Sequence, residues 1–136
     1  SLREAAEQQL SVHTFGHTPT TNDVRFGDTD VVLSMEHMDE IVAYEPDDLT
    51  VTVNSGAKIN DVAAVLAQYN QRLSFEVSRA GGFGPPTIGG VIAASREGFL
   101  SSALGPIREQ VLGMTVALSN GTTASVGGRV VKKGRF

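Results

Sequence analysis

An α+β fold is predicted by three features of the chain: β-rich runs with period-two alternation, one long amphipathic helix, and a core without Trp. Leu49, Val51 and Val53 alternate with Thr50, Thr52 and Asn54, and Leu112, Met114, Val116 and Leu118 repeat the pattern near the other end. Such spacing places one apolar face of a strand against a core. Ile59, Val62, Ala63, Leu66 and Tyr69 instead recur at helical spacing and form a single stripe. With 6% aromatics, the interior must be built from Val, Ile, Leu and Ala, which suits small sheets covered by helices.

The elements follow in order. Residues 2–10 are rich in Ala, Glu and Gln and read as a short helix leading into a strand over 11–15. The polar stretch 16–28 is a loop, and Val31, Val32 and Leu33 form the next short strand. Residues 41–44 and 49–54 flank Glu45-Pro46-Asp47-Asp48, a turn signal, so a hairpin is predicted. A helix starts near Ile59, and Asn70 is placed at its left-handed end. Residues 73–77 are extended, 79–86 form a loop, and 87–95 make a small apolar helical turn. A strand over 111–119 then reverses at Asn120-Gly121, read as a two-residue hairpin turn, and pairs with 122–126.

Composition excludes several function classes. The 136 residues match one ordinary domain, 40% hydrophobic and 19% charged, with a net charge of -4. There is no basic field for nucleic acid and no apolar run near the roughly 20 residues that span a bilayer. Arg129, Lys132, Lys133 and Arg135 read as a solvated basic tail. The absence of cysteine excludes disulfides and thiolate metal centres, and a reducing, cytoplasmic setting is the expectation. His13, His17 and His37 share no helix face, so no metal site is expected. No Gly-x-Ser-x-Gly elbow is present.

The chemistry centres on glycine. Gly81, Gly82, Gly84, Gly89 and Gly90 fall within ten positions, a density that marks tight turns or a backbone lying against something. Thr87-Ile88-Gly89-Gly90 at a helix start places unsatisfied N–H groups, a hydroxyl and Cβ-free backbone together, as phosphate binding requires. Ala93, Ala94 and Ser95 keep the next turn slim enough for a flat ring. A tight helix crossing needs the same small residues, and the run alone leaves both readings open.

Several segments together resemble the FAD-binding (PCMH-type) domain of vanillyl-alcohol oxidase-like flavoproteins, in particular the glycolate oxidase FAD-binding subunit. They are residues 49–57, the helix from Ile59, the run 87–95 followed by Gly98, Gly105 and Arg108 ahead of Val111-Leu112-Gly113, and Gly127-Gly128-Arg129-Val130-Val131-Lys132. Phe75-Glu76 is similar to a Phe-Glu-Pro-Pro stretch of that subunit, with Val77 and Ser78 in place of the prolines. The resemblance implies FAD as cofactor and oxidation of glycolate or another 2-hydroxy acid. Thr87, Ile88, Gly89 and Gly90 would then serve the pyrophosphate, and Ala94, Ser95 and Gly98 the flavin side. Gly105 and Arg108 would lie near pyrophosphate or isoalloxazine, and Val130 and Val131 near the adenine. A surface salt bridge to Glu109 is the competing reading of Arg108. Other oxidase subunits or self-association are the implied partners, and no covalent flavin attachment is implied.

Two departures shape the expectation. The family's first phosphate loop is glycine-rich, whereas the corresponding Phe15-Gly16-His17-Thr18-Pro19-Thr20-Thr21-Asn22 keeps Gly16 alone, with His17, Thr18, Thr20 and Thr21 as replacement donors. Added Cβ atoms crowd the backbone, and Pro19 lacks an N–H. The chain is also read as the N-terminal portion of a single, partial FAD-binding domain, 1–136, without a substrate domain. The alternative expectation is a non-catalytic module of the same fold that has lost FAD and acts through protein association. A cell-wall precursor reductase or a molybdenum-hydroxylase FAD subunit is a third reading, which the Phe75-Glu76 and Val130-Val131-Lys132 matches disfavour.

Overall fold

The computed structural model describes residues 1–17, 27–75, 84–94 and 105–128. Its order is α1 (Leu2–Glu7), β1 (Val12–Phe15), β2 (Val31–Ser34), β3 (Ile41–Glu45), β4 (Thr50–Val53), α2 (Ile59–Ala67), α3 (Ile88–Ala94), α4 (Ile107–Gln110), β5 (Gly113–Ala117) and β6 (Thr123–Gly127). The mixed helix and strand content is that of the predicted α+β fold.

Helix α1 starts on a capping box, with Ser1 Oγ accepting from Glu4 N–H and Glu4 reaching back to the Ser1 amino group. It stops at Glu7, short of the predicted Leu10, where Gln9 turns left-handed at φ +55°. Among the described residues the strands form three two-stranded ribbons, the last of them the further strands expected near the C-terminal end. β1 and β2 pair in parallel, Val12 opposite Val31, which single-strand patterning does not reveal. Asp30 secures this pair: its Oδ2 accepts from Ser11 N–H at 2.8 Å and Ser11 Oγ–H at 2.7 Å.

β3 and β4 make the predicted antiparallel hairpin, with an irregularity between Ile41 and Ala43. Leu49, however, does not share the buried face of Val51 and Val53. It lies in the turn at φ +56° and is 75% exposed. The reason is local: Asp48 N–H and Leu49 N–H bond back to the carbonyls of Glu45 and Pro46, so the chain must reverse through a left-handed residue.

Helix α2 buries Ile59, Val62 and Leu66 as its stripe predicts. Asn70 is left-handed at φ +56°, and Gln71 N–H reaches the Leu66 carbonyl, closing the helix as expected. Tyr69 falls off the buried stripe and meets Tyr44 edge-on at 5.3 Å. The Tyr44 hydroxyl donates to Gln71 Oε1 at 2.7 Å, and Gln71 Nε2 donates to the Pro46 carbonyl, tying the helix end to the β3–β4 turn.

The core has two lobes. Ala57, Val62 and Leu66 pack with Ile41, Tyr44, Val51 and Val53, while Ile59, Val91 and Ile107 pack with Phe75 and Ile92. Leu73 and Ile88 belong to both. Residues 73–75, predicted extended, form no strand, and 76–77 lie outside the described residues. α4 is an addition that the sequence pattern did not announce.

The β5–β6 hairpin pairs as predicted, Met114 opposite Val126 and Thr115 opposite Ser125, but its turn is broader than the expected two residues. Gly121 is left-handed at φ +78° and its N–H bonds to the Leu118 carbonyl, while Leu118 N–H bonds to Thr122. Asn120 Oδ1 accepts from Thr122 N–H and Oγ1–H, a side-chain turn that holds this wider loop. No helix among the described residues is long and apolar enough to cross a membrane.

Replacing Leu49 with Asn, which tolerates the left-handed region better, is expected to raise stability by about 0.5–1 kcal/mol. A higher urea midpoint is the readout, and a lower one would show that Leu49 contributes a contact. Hydrogen bonds from the Ser11 backbone, then its hydroxyl, hold the Asp30 carboxyl below its ordinary range. A lowered folded-state value stabilises at higher pH and is lost as pH falls. Asp30→Asn should therefore flatten the stability loss seen below about pH 4; an unchanged acid limb in urea titrations would reject this.

Candidate functional site

Four segments meet at one junction: the loop after β1 at Gly16-His17, the loop after β2 at Met35-Glu36, the corner Ser55-Gly56-Ala57 after β4, and the start of α3. Gly56 N–H donates to the Met38 carbonyl at 2.8 Å, and a Cβ on Gly56 would strike the Met35 carbonyl oxygen. The corner's carbonyls then face α3. Ala57 O accepts from Ile88 N–H at 2.9 Å and Ser55 O from Gly89 N–H at 2.8 Å. Across the gap Ile59 N–H donates to the Pro86 carbonyl, and Lys58 and Thr87 form an isolated antiparallel bridge.

Thr87 is buried, 3% exposed, and its Oγ1 accepts from Gly90 N–H at 3.2 Å, capping the helix. Thr87 also carries the contact with the first loop. A Cβ on Gly16 would overlap Thr87 Oγ1 and lie 2.9 Å from Cγ2. The only glycine kept in that loop is therefore the one whose backbone must pass the Thr87 side chain.

The structure thus brings Gly16, Thr87, Ile88, Gly89 and Gly90 together, with His17 beside them. It also gives α3 a chemistry that the glycine run did not disclose. The N–H groups of Ile88, Gly89 and Gly90, read from the sequence as phosphate donors, already have protein acceptors in Ala57, Ser55 and Thr87. Gly89 is a packing glycine, since a Cβ there would lie 2.7 Å from Ser55 Cβ. Gly90 is exposed, and among the described residues a Cβ there would meet Thr87 Oγ1 alone, at 3.1 Å; Ala93 and Ala94 are exposed on the following turn. His17 Nδ1 lies 3.5 Å from Glu36 Oε1.

Gly105 and Arg108 lie elsewhere. Gly105 is left-handed at φ +80° and its Cα faces Glu109 Oε2. Arg108 lines an open cavity of about 290 Å³ with Ile92, Ile107, Leu112, Met114 and Val126, between α3, α4 and the β5–β6 hairpin. Ile92 on α3 connects it to the Gly90 region. Thr18, Ser95, Gly98, Val130 and Val131 lie outside the described residues. Sequence reasoning passed over Ser55, Ala57 and Glu36 as site residues. Gly56 was the available signal, a glycine immediately after an alternating strand. Among the described residues no cluster of His, Asp and Glu is arranged to hold a metal.

Residues 1–127 match the model of an FAD binding domain family. The chain belongs to this FAD-binding family. A D-lactate dehydrogenase from Anaerostipes hadrus is 28% identical over 109 residues, 75% of this chain and 21% of that protein. Two solved structures of alkyldihydroxyacetonephosphate synthase share the fold. One has a TM-score of 0.70 at 16% identity over 92% of this chain and 25% of that one. The other has 0.66 at 17% over 97% and 24%. The FAD-binding domain therefore spans about a fifth to a quarter of the relatives it matches.

FAD is the cofactor that the family indicates. The described residues fit it by shape: α3 presents Gly90, Ala93 and Ala94 without bulk, next to a loop that contributes Gly16 and an imidazole. They fit less well by donors at the helix start, where two N–H groups bond to the Ser55-Gly56-Ala57 corner and a third to the Thr87 hydroxyl.

These contacts separate three glycines. Gly16→Ala and Gly56→Ala are each expected to destabilise the domain by about 1–3 kcal/mol, because both added methyls meet immobile atoms. Gly90→Ala should stay within about 1 kcal/mol of the parent, combining helix propensity with one tight contact. Equal urea midpoints for all three variants would contradict the junction described here.

Proposed function

We propose that this domain holds FAD against the open face of α3 and the Gly16-His17 loop, as the cofactor-binding part of an oxidoreductase of 2-hydroxy acids. The observation that carries the reading is the FAD-binding match over residues 1–127, which places both the first loop and α3 inside the matched region. The substrate class is supported by the likeness to a D-lactate dehydrogenase, whose name specifies a 2-hydroxy acid, and by the resemblance to the glycolate oxidase FAD-binding subunit.

In this reading Thr87, Ile88 and Gly89 set the position of α3, and Gly90 and Ala94 leave the surface on which the cofactor rests. Gly16, His17 and Thr18 supply the loop side, Ser95 and Gly98 extend the flavin surface, and Val130 and Val131 flank the adenine. Gly105 and Arg108 border the cofactor from the α4 side, where the guanidinium offers a permanent cation beside an apolar wall. Bound FAD supplies a two-electron acceptor for the hydride on the substrate's α-carbon. The chain's own residues bind and orient it, and the base for the substrate hydroxyl is assigned to none of them. Further oxidase subunits or a second copy are the proposed partners.

The test is a titration of the purified chain with FAD, followed by flavin fluorescence, together with the visible spectrum as purified. Saturable binding is expected, weakened about tenfold or more by Gly90→Val while circular dichroism stays native. No bound flavin and no saturation at high micromolar FAD would assign the domain to a scaffold that acts through protein association.

A further inference from the structure

We propose that Glu36 is a positioning residue for the cofactor, acting through His17 to direct that imidazole at the diphosphate of FAD. The inference rests on the FAD reading above and adds to it a residue from a different strand connection. β1 and β2 are parallel neighbours, and Phe15 O accepts from Met35 N–H at 2.9 Å, so their carboxyl ends are in register. His17 and Glu36 are each two residues past those ends. In open α/β sheets ligands bind outside the carboxyl ends of the strands where the strand order reverses, and the two-stranded β1–β2 ribbon presents a carboxyl end of that kind. The two side chains meet there, Nδ1 to Oε1 at 3.5 Å, with 23% of the His17 side chain and 39% of the Glu36 side chain exposed.

The chemistry sets a direction. A carboxylate on its own at a diphosphate site repels the ligand, so Glu36 helps only through a group between them. Imidazole is such a group. With Nδ1 turned to Glu36, the opposite edge of the ring carries Nε2, and an imidazolium donates from both nitrogens. A phosphate oxygen on Nε2 and the carboxylate on Nδ1 then satisfy the ring from both sides, as a second acceptor fixes the orientation of a ligand-binding histidine. Gly16, the residue before His17, passes with its Cα against Thr87 at the start of α3. The backbone of Glu36 is anchored independently, its N–H donating to Ser34 Oγ at 3.2 Å. Protonated and held in this way, the ring offers the diphosphate a donor that the engaged N–H groups of α3 do not supply.

The experiment is a double-mutant cycle on the whole chain, with Glu36→Gln, His17→Ala and the pair, titrated with FAD, ADP, adenosine and riboflavin. Glu36→Gln is expected to weaken FAD and ADP roughly tenfold in the parent and to have no effect once His17 is Ala. Adenosine and riboflavin, which lack the diphosphate, should bind all four proteins alike. As both side chains are partly exposed, unfolding midpoints should barely move. A measurement independent of the variants is ¹⁵N NMR of the histidine rings, in which ADP but not adenosine should shift His17 Nε2. Tighter binding by Glu36→Gln, or equal losses with and without His17, would overturn the inference while leaving saturable FAD binding intact. An unmoved Nε2 signal at saturating ADP would do the same. Absence of saturable FAD binding by the parent chain would overturn the functional reading itself, and this inference with it.

Discussion

The corner Ser55-Gly56-Ala57 is the constraint on which the other contacts depend. A strand that ends there must present carbonyls with no ladder partner, and buried carbonyls without partners are costly. The chain resolves this by aiming Ser55 O and Ala57 O at the first N–H groups of α3, which lack partners within their own helix. Each set of orphan groups satisfies the other. Gly56 makes the exchange possible, because any side chain there would collide with the Met35 and Met38 carbonyls. One glycine thereby joins β4, the β2 loop, α2 and α3.

The two core lobes follow from that joint. Ile88 is placed by its own N–H bond to Ala57, and from that position it touches both apolar clusters. Val91, one turn further, is 3% exposed and fills the second lobe. The β5–β6 hairpin is built differently. Its strands are exposed, and Met114, Val116 and Val126 carry apolar surface to solvent. Its tip nevertheless returns to the start of the chain, where Gly121 lies against the Arg3 backbone.

Small residues serve two ends in α3, and their contacts tell them apart. Gly89 is small because Ser55 is adjacent; among the described residues a Cβ on Gly90 would meet only Thr87 Oγ1. A packing glycine and an open glycine thus stand side by side.

The sequence by itself determined most of the local elements, α4 (Ile107–Gln110) excepted, and the family. The Ile59 stripe and the Asn70 end signal are properties of neighbouring residues that burial and local sterics enforce, whereas the alternation in 111–119 marks a strand whose apolar side chains stay exposed. Leu49 escaped because hydrogen bonds across its turn overrode its apolar character. The ordered set of glycine-bearing segments was enough to place the chain with FAD-binding domains. Tertiary structure alone decided which groups are free to act. Whether an N–H of α3 is available depends on carbonyls about thirty residues away, as Ser55 to Gly89 and Ala57 to Ile88 show. Likewise the meeting of His17 with Glu36 depends on a parallel pairing, and periodicity within one strand carries no information about its neighbour.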